Sequence, residues 1–266
     1  MTRDNTKKKK RLDINKLGKC NPVTRRTRRC LPSSIYNQVN SSICKPGDEH
    51  CIIDHLQIDV TQKNHLRKAY LRPRYPDEWK QDPDAWLSNF DIMRVMKQYE
   101  DANPSFKFMP IQSIDFSAPS PYVKDKLQCL SPDMCELNLQ KEYNKGIRSI
   151  GIIFNLDPHY KGGSHWVGLY ICINDIKHPW CGYFDSYGYN VPRFIARFMK
   201  SLKLQCSNIK LMYNARRFQY SNTECGMFSM FFVLSMLSGI SFRTFCKNPA
   251  SDSDMIKLRK ILFTGN

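Results

Sequence analysis

Acidic residues are scarce in this 266-residue chain: 24 Asp and Glu stand against 41 Lys and Arg, a formal net charge of +17. No apolar run reaches the ~18 residues that a membrane span requires. The most hydrophobic stretch, Met227 to Met236, is too short and is broken by Ser229 and Ser235. No apolar segment follows the charged run at the N-terminus, which excludes a secretory signal peptide. Internal repeats are missing, and the 11 cysteines show no repeated CxxC spacing. An odd number of cysteines prevents complete internal pairing, and a chain without a leader belongs in a reducing compartment, so most are expected as free thiols. His50, Cys51 and His55 with Cys44 match no common zinc spacing. Ordinary packing is the expectation for them, with no metal or organic cofactor in the chain.

What is present suits one large domain or one domain with an appendage. A hydrophobic content of 41%, with 15 Phe, 13 Tyr and 4 Trp, is enough for a sizeable core. The charge is uneven: residues 1–30 hold 12 basic and 2 acidic side chains, a net of +10, which leaves +7 for the rest. This segment, with its KKKKR and RRTRR runs, reads as a flexible basic tail. It is either a solvated tail or import address, or a salt-dependent contact for nucleic acid or an acidic surface.

Residues 31–83 read as a helical N-terminal arm. Leu31, Ile35, Val39, Ile43 and Cys44 recur at helical spacing, Pro46-Gly47-Asp48 breaks the pattern, and a second helix is expected over about 52–70. Residues 84–266 have the pattern of an α+β domain. A helix opens near Ser88 or Asn89 and ends before Pro104, a strand covers 106–114, and a helix is expected around 123–129. Strands follow at 148–156, 166–173 and 180–185, then an amphipathic helix at 191–204 and a strand at 209–213. The segment 225–237 is apolar on nearly every side, the signature of a helix buried at the centre of its domain.

Chemistry gathers around that helix. Cys225 lies at its start, where unpaired N–H groups and the positive end of the dipole favour a thiolate. Gly226 beside it leaves room for a substrate carbonyl. A cysteine nucleophile needs a base and a group that orients the base. His165 follows the Lys161-Gly162-Gly163-Ser164 loop and precedes a buried strand, and Asp185 ends the next strand. If the two strands pair across the Asn174–Pro179 turn, these ends lie side by side. Asp185 can then hold Nδ1–H of His165 while Nε2 serves the sulfur. Gln219, six residues before Cys225, can donate its amide to a developing oxyanion, with the Cys225 backbone N–H as the second donor.

The segments GSHWVGLYICI, YFDSYG and QYSNTECGMFSMFF together resemble the His-Trp, Asp and Gln…Cys-Gly motifs of the ubiquitin-like-protein peptidase (Ulp/sentrin protease) superfamily. Its triad order, His…Asp…Cys, is the reverse of papain's. Trp86-Leu87-Ser88-Asn89 resembles the family's Trp-Leu-Asn-Asp element. Within the superfamily the chain looks most like the African swine fever virus type, through Cys30-Leu31, Cys51-Ile52, Asn89-Phe90-Asp91 and Thr223-Glu224-Cys225-Gly226. Asp185 stands where that type has Asn.

The resemblance implies a papain-like cysteine protease fold of the Ulp/adenovirus-protease type, with a central mixed sheet, a buried helix led by the nucleophile and a helical N-terminal arm. It implies His165, Asp185, Cys225 and Gln219 as catalytic residues, and Trp86 and Trp166 as walls of a tunnel for a substrate strand ending in Gly-Gly. The expected function is a viral cysteine endopeptidase that processes polyprotein, capsid or core precursors during virion maturation, in the host cytoplasm and the virion. The alternatives are a deubiquitinating or deSUMOylating isopeptidase, or, in another class, an inactive virion-packaged nucleic-acid-binding protein.

Overall fold

The computed structural model describes residues 11–26, 29–39, 43–119 and 127–264. The N-terminal part holds three helices, α1 (Ser33–Tyr36), α2 (Glu49–Asp54) and α3 (Val60–Tyr70). Each of the last two begins on an aspartate whose side chain accepts a backbone N–H of the first turn, Asp48 from Cys51 and Asp59 from Gln62. Cys20, Cys30, Leu31, Ile52, Ile53, Leu56 and Leu71 make a small core of their own. The buried Glu49 carboxylate ties it together by accepting the N–H groups of Cys30 at 2.7 Å and Leu31 at 3.1 Å.

Residues 1–30 are not a flexible tail throughout: Ile14 is buried in the main core, Cys20 and Cys30 lie in the arm core, and short 3-10 helices form at Ile14–Lys16 and Pro22–Thr24. The high charge of the segment hid these few apolar anchors. The Lys7–Lys10 run and residues 27–28 lie outside the described residues. Six cysteines are not free thiols, since disulfides join Cys20 to Cys30, Cys44 to Cys51 and Cys129 to Cys135. Of the helix expected from Leu31 to Cys44, whose residues 40–42 lie outside the described ones, the described residues keep the single turn of α1, and the helix expected over 52–70 breaks between α2 and α3.

The larger part starts with α4 (Asn89–Ala102), closed by a reciprocal cap between Ser88 and Asp91. Short strands β1 (Phe106–Phe108), β2 (Gln112–Ser113), β3 (Ser117–Pro119) and β4 (Leu127–Cys129) follow. A strand thus occupies part of the helix expected at 123–129, whose residues 123–126 lie outside the described ones. Next come α5 (Pro132–Cys135), α6 (Leu139–Asn144), β5 (Ser149–Asn155), β6 (Trp166–Cys172), β7 (Trp180–Phe184), α7 (Arg193–Gln205) and β8 (Lys210–Tyr213). The chain closes with α8 (Cys225–Leu237), α9 (Phe242–Lys247) and α10 (Asp252–Leu262). No helix among the described residues is long and apolar enough to cross a membrane.

The central sheet has the order β1-β5-β6-β7-β8, with β2 also on β5; the outer pairings are parallel and the inner two antiparallel. Strands β5 and β6 are buried along nearly their whole length because both faces are covered, so they read as continuous apolar runs. Val167, Leu169 and Ile171 face a core shared with Ile195, Met199 and Leu202 of α7, whereas Tyr170 and Phe184 face the core built on α8. Every α8 residue but the last is buried. Close seating needs glycine beneath it: a Cβ on Gly168 would meet Phe232 at 2.8 Å, and one on Gly151 would meet Val233 at the same distance.

The last described residue locks the two parts together. Thr264 donates its N–H to the Pro73 carbonyl at 2.9 Å, accepts from Tyr75 N–H at 3.2 Å, and has its hydroxyl 3.2 Å from His50 Nε2. Burial, with the nearby Arg74 charge, lowers the pKa of His50 to about 4, so the ring is neutral. His50 Nε2 is engaged by the Arg72 carbonyl at 3.1 Å and by the Thr264 hydroxyl. The other histidine of that group, His55, lies beside the Cys44–Cys51 disulfide, whose sulfurs are no longer thiolates available to a metal.

Candidate active site

Helix α8 begins at Cys225, which is 2% exposed, and no side chain caps this end. The residue before it, Glu224, turns its carboxylate away: both oxygens accept Arg259 Nε of α10 at 2.9 Å, with both side chains buried. Arg259 also donates to Ala85 O at 3.0 Å and lies 4.3 Å from the centre of the Trp79 ring. The first amides of α8 are therefore left facing the sulfur, and the turn that presents it is anchored from below.

The antiparallel register of β6 and β7, with Gly168 opposite Phe184, brings His165 and Asp185 together as the strand pattern predicted. His165 Nε2 lies 3.0 Å from Asp185 Oδ1. The nitrogen assignment expected from sequence is thus reversed, and the nitrogen left for the sulfur is Nδ1, because the ring meets Asp185 with its far edge. Burial alone would lower the basicity of His165. Its hydrogen bonds to Asp185 and Cys225, and the charges of both, more than offset this and raise its pKa to about 9. An imidazolium is therefore held between a carboxylate and the Cys225 sulfur at neutral pH, an arrangement that supports thiolate attack.

Asp185 is fully buried and is itself positioned. Its Oδ1 also accepts the N–H of Tyr187 at 2.8 Å. Asn214, just after β8, accepts the Asp185 N–H at 2.8 Å and returns a bond to the Asp185 carbonyl at 3.0 Å. Gln219 is likewise buried: its Oε1 accepts the Ser186 hydroxyl at 2.6 Å, which orients the amide so that Nε2 meets Ser221 O at 2.9 Å and the Tyr187 hydroxyl at 3.3 Å. Tyr187 stacks on the His165 ring at 5.0 Å between centroids. The Asp185-Ser186-Tyr187 turn therefore touches both the imidazole and the glutamine amide.

Trp86 and Trp166 line one cavity of about 600 Å³, with Asn89, Gln112, Asn155 and Gly163 among its other walls. Trp86 is 46% exposed, whereas Trp166 is buried and fixed by its indole N–H on Leu87 O at 3.1 Å. Gly226 also packs closely against the protein. A Cβ there would come within 3.2 Å of both Leu87 and Trp166, so the missing side chain makes room for protein packing. A cavity of about 710 Å³ between the arm and the C-terminal helix touches none of these groups.

The C-terminal catalytic domain of the Ulp1 protease family matches residues 136–265, the span that carries His165, Asp185, Gln219 and Cys225. R355 of Acanthamoeba polyphaga mimivirus, which bears a thiol-protease name, is 32% identical over 225 residues, covering 82% of this chain and 69% of its own. The chain belongs to the Ulp1 protease family. It is a viral thiol protease and a hydrolase. The cysteine protease S273R of African swine fever virus (strain Badajoz 1971 Vero-adapted) is 25% identical over 250 residues, covering 88% of this chain and 90% of its own. A crystal structure of the African swine fever virus pS273R protease shares the fold, with a TM-score of 0.73, 21% identity, and coverage of 94% and 97% of the two chains.

Several residues of this protease site escaped the sequence reading. Ser186 and Tyr187 adjoin Asp185 in the same motif, so their proximity was available though their bonds were not. Asn214 and Arg259 come from distant elements and give no local signal. Their roles exist only once β8 lies beside β7 and α10 crosses beneath α8.

Proposed function

We propose that the protease is an endopeptidase with His165, Asp185 and Cys225 as its triad, and that it cleaves structural polyprotein precursors of its virus after Gly-Gly. The observation that carries this reading is the placement of His165 between Asp185 Oδ1, at 3.0 Å, and Cys225, with its pKa raised to about 9. With the thiol proton already held on His165 as an ion pair, the sulfur adds to the scissile carbonyl. The oxyanion is met by the Cys225 N–H and by Gln219 Nε2, which exchanges its long bond to the Tyr187 hydroxyl for it. Collapse breaks the C–N bond as His165 protonates the leaving amine. Water then adds to the thioester, giving up a proton to His165, and collapse releases the acid and frees the sulfur, restoring the ion pair. These steps use no metal or organic cofactor. Trp86 and Trp166, which line one cavity, flank the acyl strand.

The proposed setting is the virus assembly site in the host cytoplasm and the virion. A second reading, cleavage of a ubiquitin-like conjugate, is favoured by the name of one relative, the SUMO-1 cysteine protease S273R of African swine fever virus (isolate Warthog/Namibia/Wart80/1980), 25% identical over 250 residues. Incubating wild type and Cys225→Ala with candidate virion precursors and with a SUMO conjugate, and mapping cuts by mass spectrometry, separates the two. Cuts after Gly-Gly in precursors by wild type alone support the proposal. Cleavage of the conjugate alone supports the second reading, and cleavage by Cys225→Ala would overturn the triad. Nucleic-acid contact through the basic N-terminus is tested by deleting residues 1–10 only, because residues from Ile14 onward belong to the folded protein. Loss of salt-sensitive oligonucleotide binding is the expected result, and unchanged affinity would refute it.

A further inference from the structure

Outward from His165, rings and a guanidinium adjoin one another across the surface. Tyr187 covers the imidazole at 5.0 Å, and Tyr189 follows Tyr187 at 5.7 Å. Arg217 stands over Tyr187 at 5.4 Å and over Tyr220 at 4.8 Å. Tyr189 is 65% and Tyr220 71% exposed, and Arg217 is exposed as well. Exposed tyrosine and arginine in one patch is the composition of binding hot spots.

The patch is held in shape. Arg217 Nε donates to Gln219 O at 2.7 Å, and the Asp252 carboxylate accepts the N–H groups of Tyr220, at 3.1 Å, and Ser221, at 3.2 Å. Gly188, at φ 77°, lies so close to Arg216 that a Cβ would come within 2.8 Å of its carbonyl carbon. The Tyr187–Tyr189 turn is therefore seated on the Arg216–Arg217 backbone. The terminal nitrogens of Arg217 make no hydrogen bond among the described residues, and no carboxylate there forms an ion pair with it. A planar fork with two outward edges, supported from behind by two aromatic rings, suits a carboxylate.

Chemistry decides which part of a substrate reaches this patch. His165 must protonate the leaving amine, so the chain on the leaving side of the scissile bond has to cross the imidazole. The Trp86 and Trp166 cavity lies toward Leu87 and the Gly162–Gly163 loop and is left for the acyl side. We propose that Tyr187, Tyr189, Arg217 and Tyr220 form the leaving-side subsite, and that Arg217 selects an acidic side chain within the first few residues after the cleaved bond. This inference rests on the peptidase reading above.

Two peptides with the same acyl half test it, one carrying Asp or Glu in the three positions after the bond and one carrying Lys there. The readout is the ratio of their kcat/KM values within each enzyme, so a general loss of activity cancels. Wild type should favour the acidic peptide by about fivefold at low salt, the scale of an exposed charge pair. Arg217→Gln should abolish the preference and Arg217→Glu should invert it. Equal rates on both peptides by wild type, or an unchanged ratio in Arg217→Glu, would overturn the assignment. A coumarin amide of the acyl half, which has no leaving-side residues, keeps the two levels apart. Turnover of that substrate by wild type without any peptide preference sinks the subsite alone; no turnover of any of the three by wild type removes the peptidase reading and the subsite with it.

Discussion

Asn214 grips Asp185 from both sides of its backbone, accepting its N–H at 2.8 Å and donating to its carbonyl at 3.0 Å. The same amide also donates to Arg216 O at 2.8 Å, so the loop after β8 and the end of β7 move as one. Asn214→Ala should therefore misplace the carboxylate that orients His165. The expected result is a fall in kcat of about 10²-fold with KM little changed, since sub-ångström positioning errors cost on that scale. A variant that keeps wild-type kcat, with circular dichroism unchanged, would show that the clamp does not matter to the chemistry.

The raised basicity of His165 makes a directional claim about pH. With a pKa of about 9, the imidazolium persists through neutrality, and kcat/KM should fall on the alkaline side near that value. Asp185→Asn removes the charge and should draw the alkaline limb toward the ordinary 6.5. Because the folded value lies above the unfolded one, the stabilisation from this group is complete below pH 6.5 and is lost as the pH rises through about 9. Urea unfolding of wild type and His165→Gln between pH 6 and 10 reads this as a stability difference that shrinks across that window.

Gln219 and Ser186 should differ in degree. Gln219→Ala removes a proposed oxyanion donor and should lower kcat by about 10²–10³-fold. Ser186→Ala leaves the amide present but free to turn over, because the 2.6 Å bond to Oε1 is gone, and should cost about tenfold. Steady-state kinetics on one peptide ranks the two, and equal losses would contradict the orienting role of Ser186.

The Glu224–Arg259 pair is 1% and 4% exposed, so removing one partner strands the other charge in the core. Arg259→Met should destabilise the fold by about 3–5 kcal/mol. Adding Glu224→Gln should recover much of that loss. Chemical denaturation of the single and double variants tests both statements.

Most of the geometry of the proposed site could be read from the chain because two apolar strands joined by a short turn force their ends together, and an all-apolar helix has only one place to go. His165 and Asp185 follow from the first rule, Cys225 from the second. Ring orientation does not follow, since either nitrogen of His165 satisfies the same strand pairing. Asn214 and Arg259 were invisible because packing alone brings them to the site. In the arm, charge dominated the composition and hid Ile14 and Cys20, while a short apolar spacing over Leu31 to Cys44 suggested more helix than the turn Ser33–Tyr36 found among the described residues. The strand at Leu127–Cys129 is paired to Ser117–Pro119, a contact that local periodicity does not register.

Thr264, the final described residue, is bonded to the arm, while α10 just before it carries Arg259 to the residue that precedes the proposed nucleophile. Asp254 near the start of the same helix is held by Arg11 at 3.1 Å. One helix is thus fastened to the beginning, the arm and the reactive turn of the molecule. Cutting the chain back to the half that matches the family, residues 136–265, would remove the fixtures at both ends of α10 and leave Glu224 leaning on a loose strut. Such a fragment would keep the residues of the triad and lose the stiffness with which they are aimed.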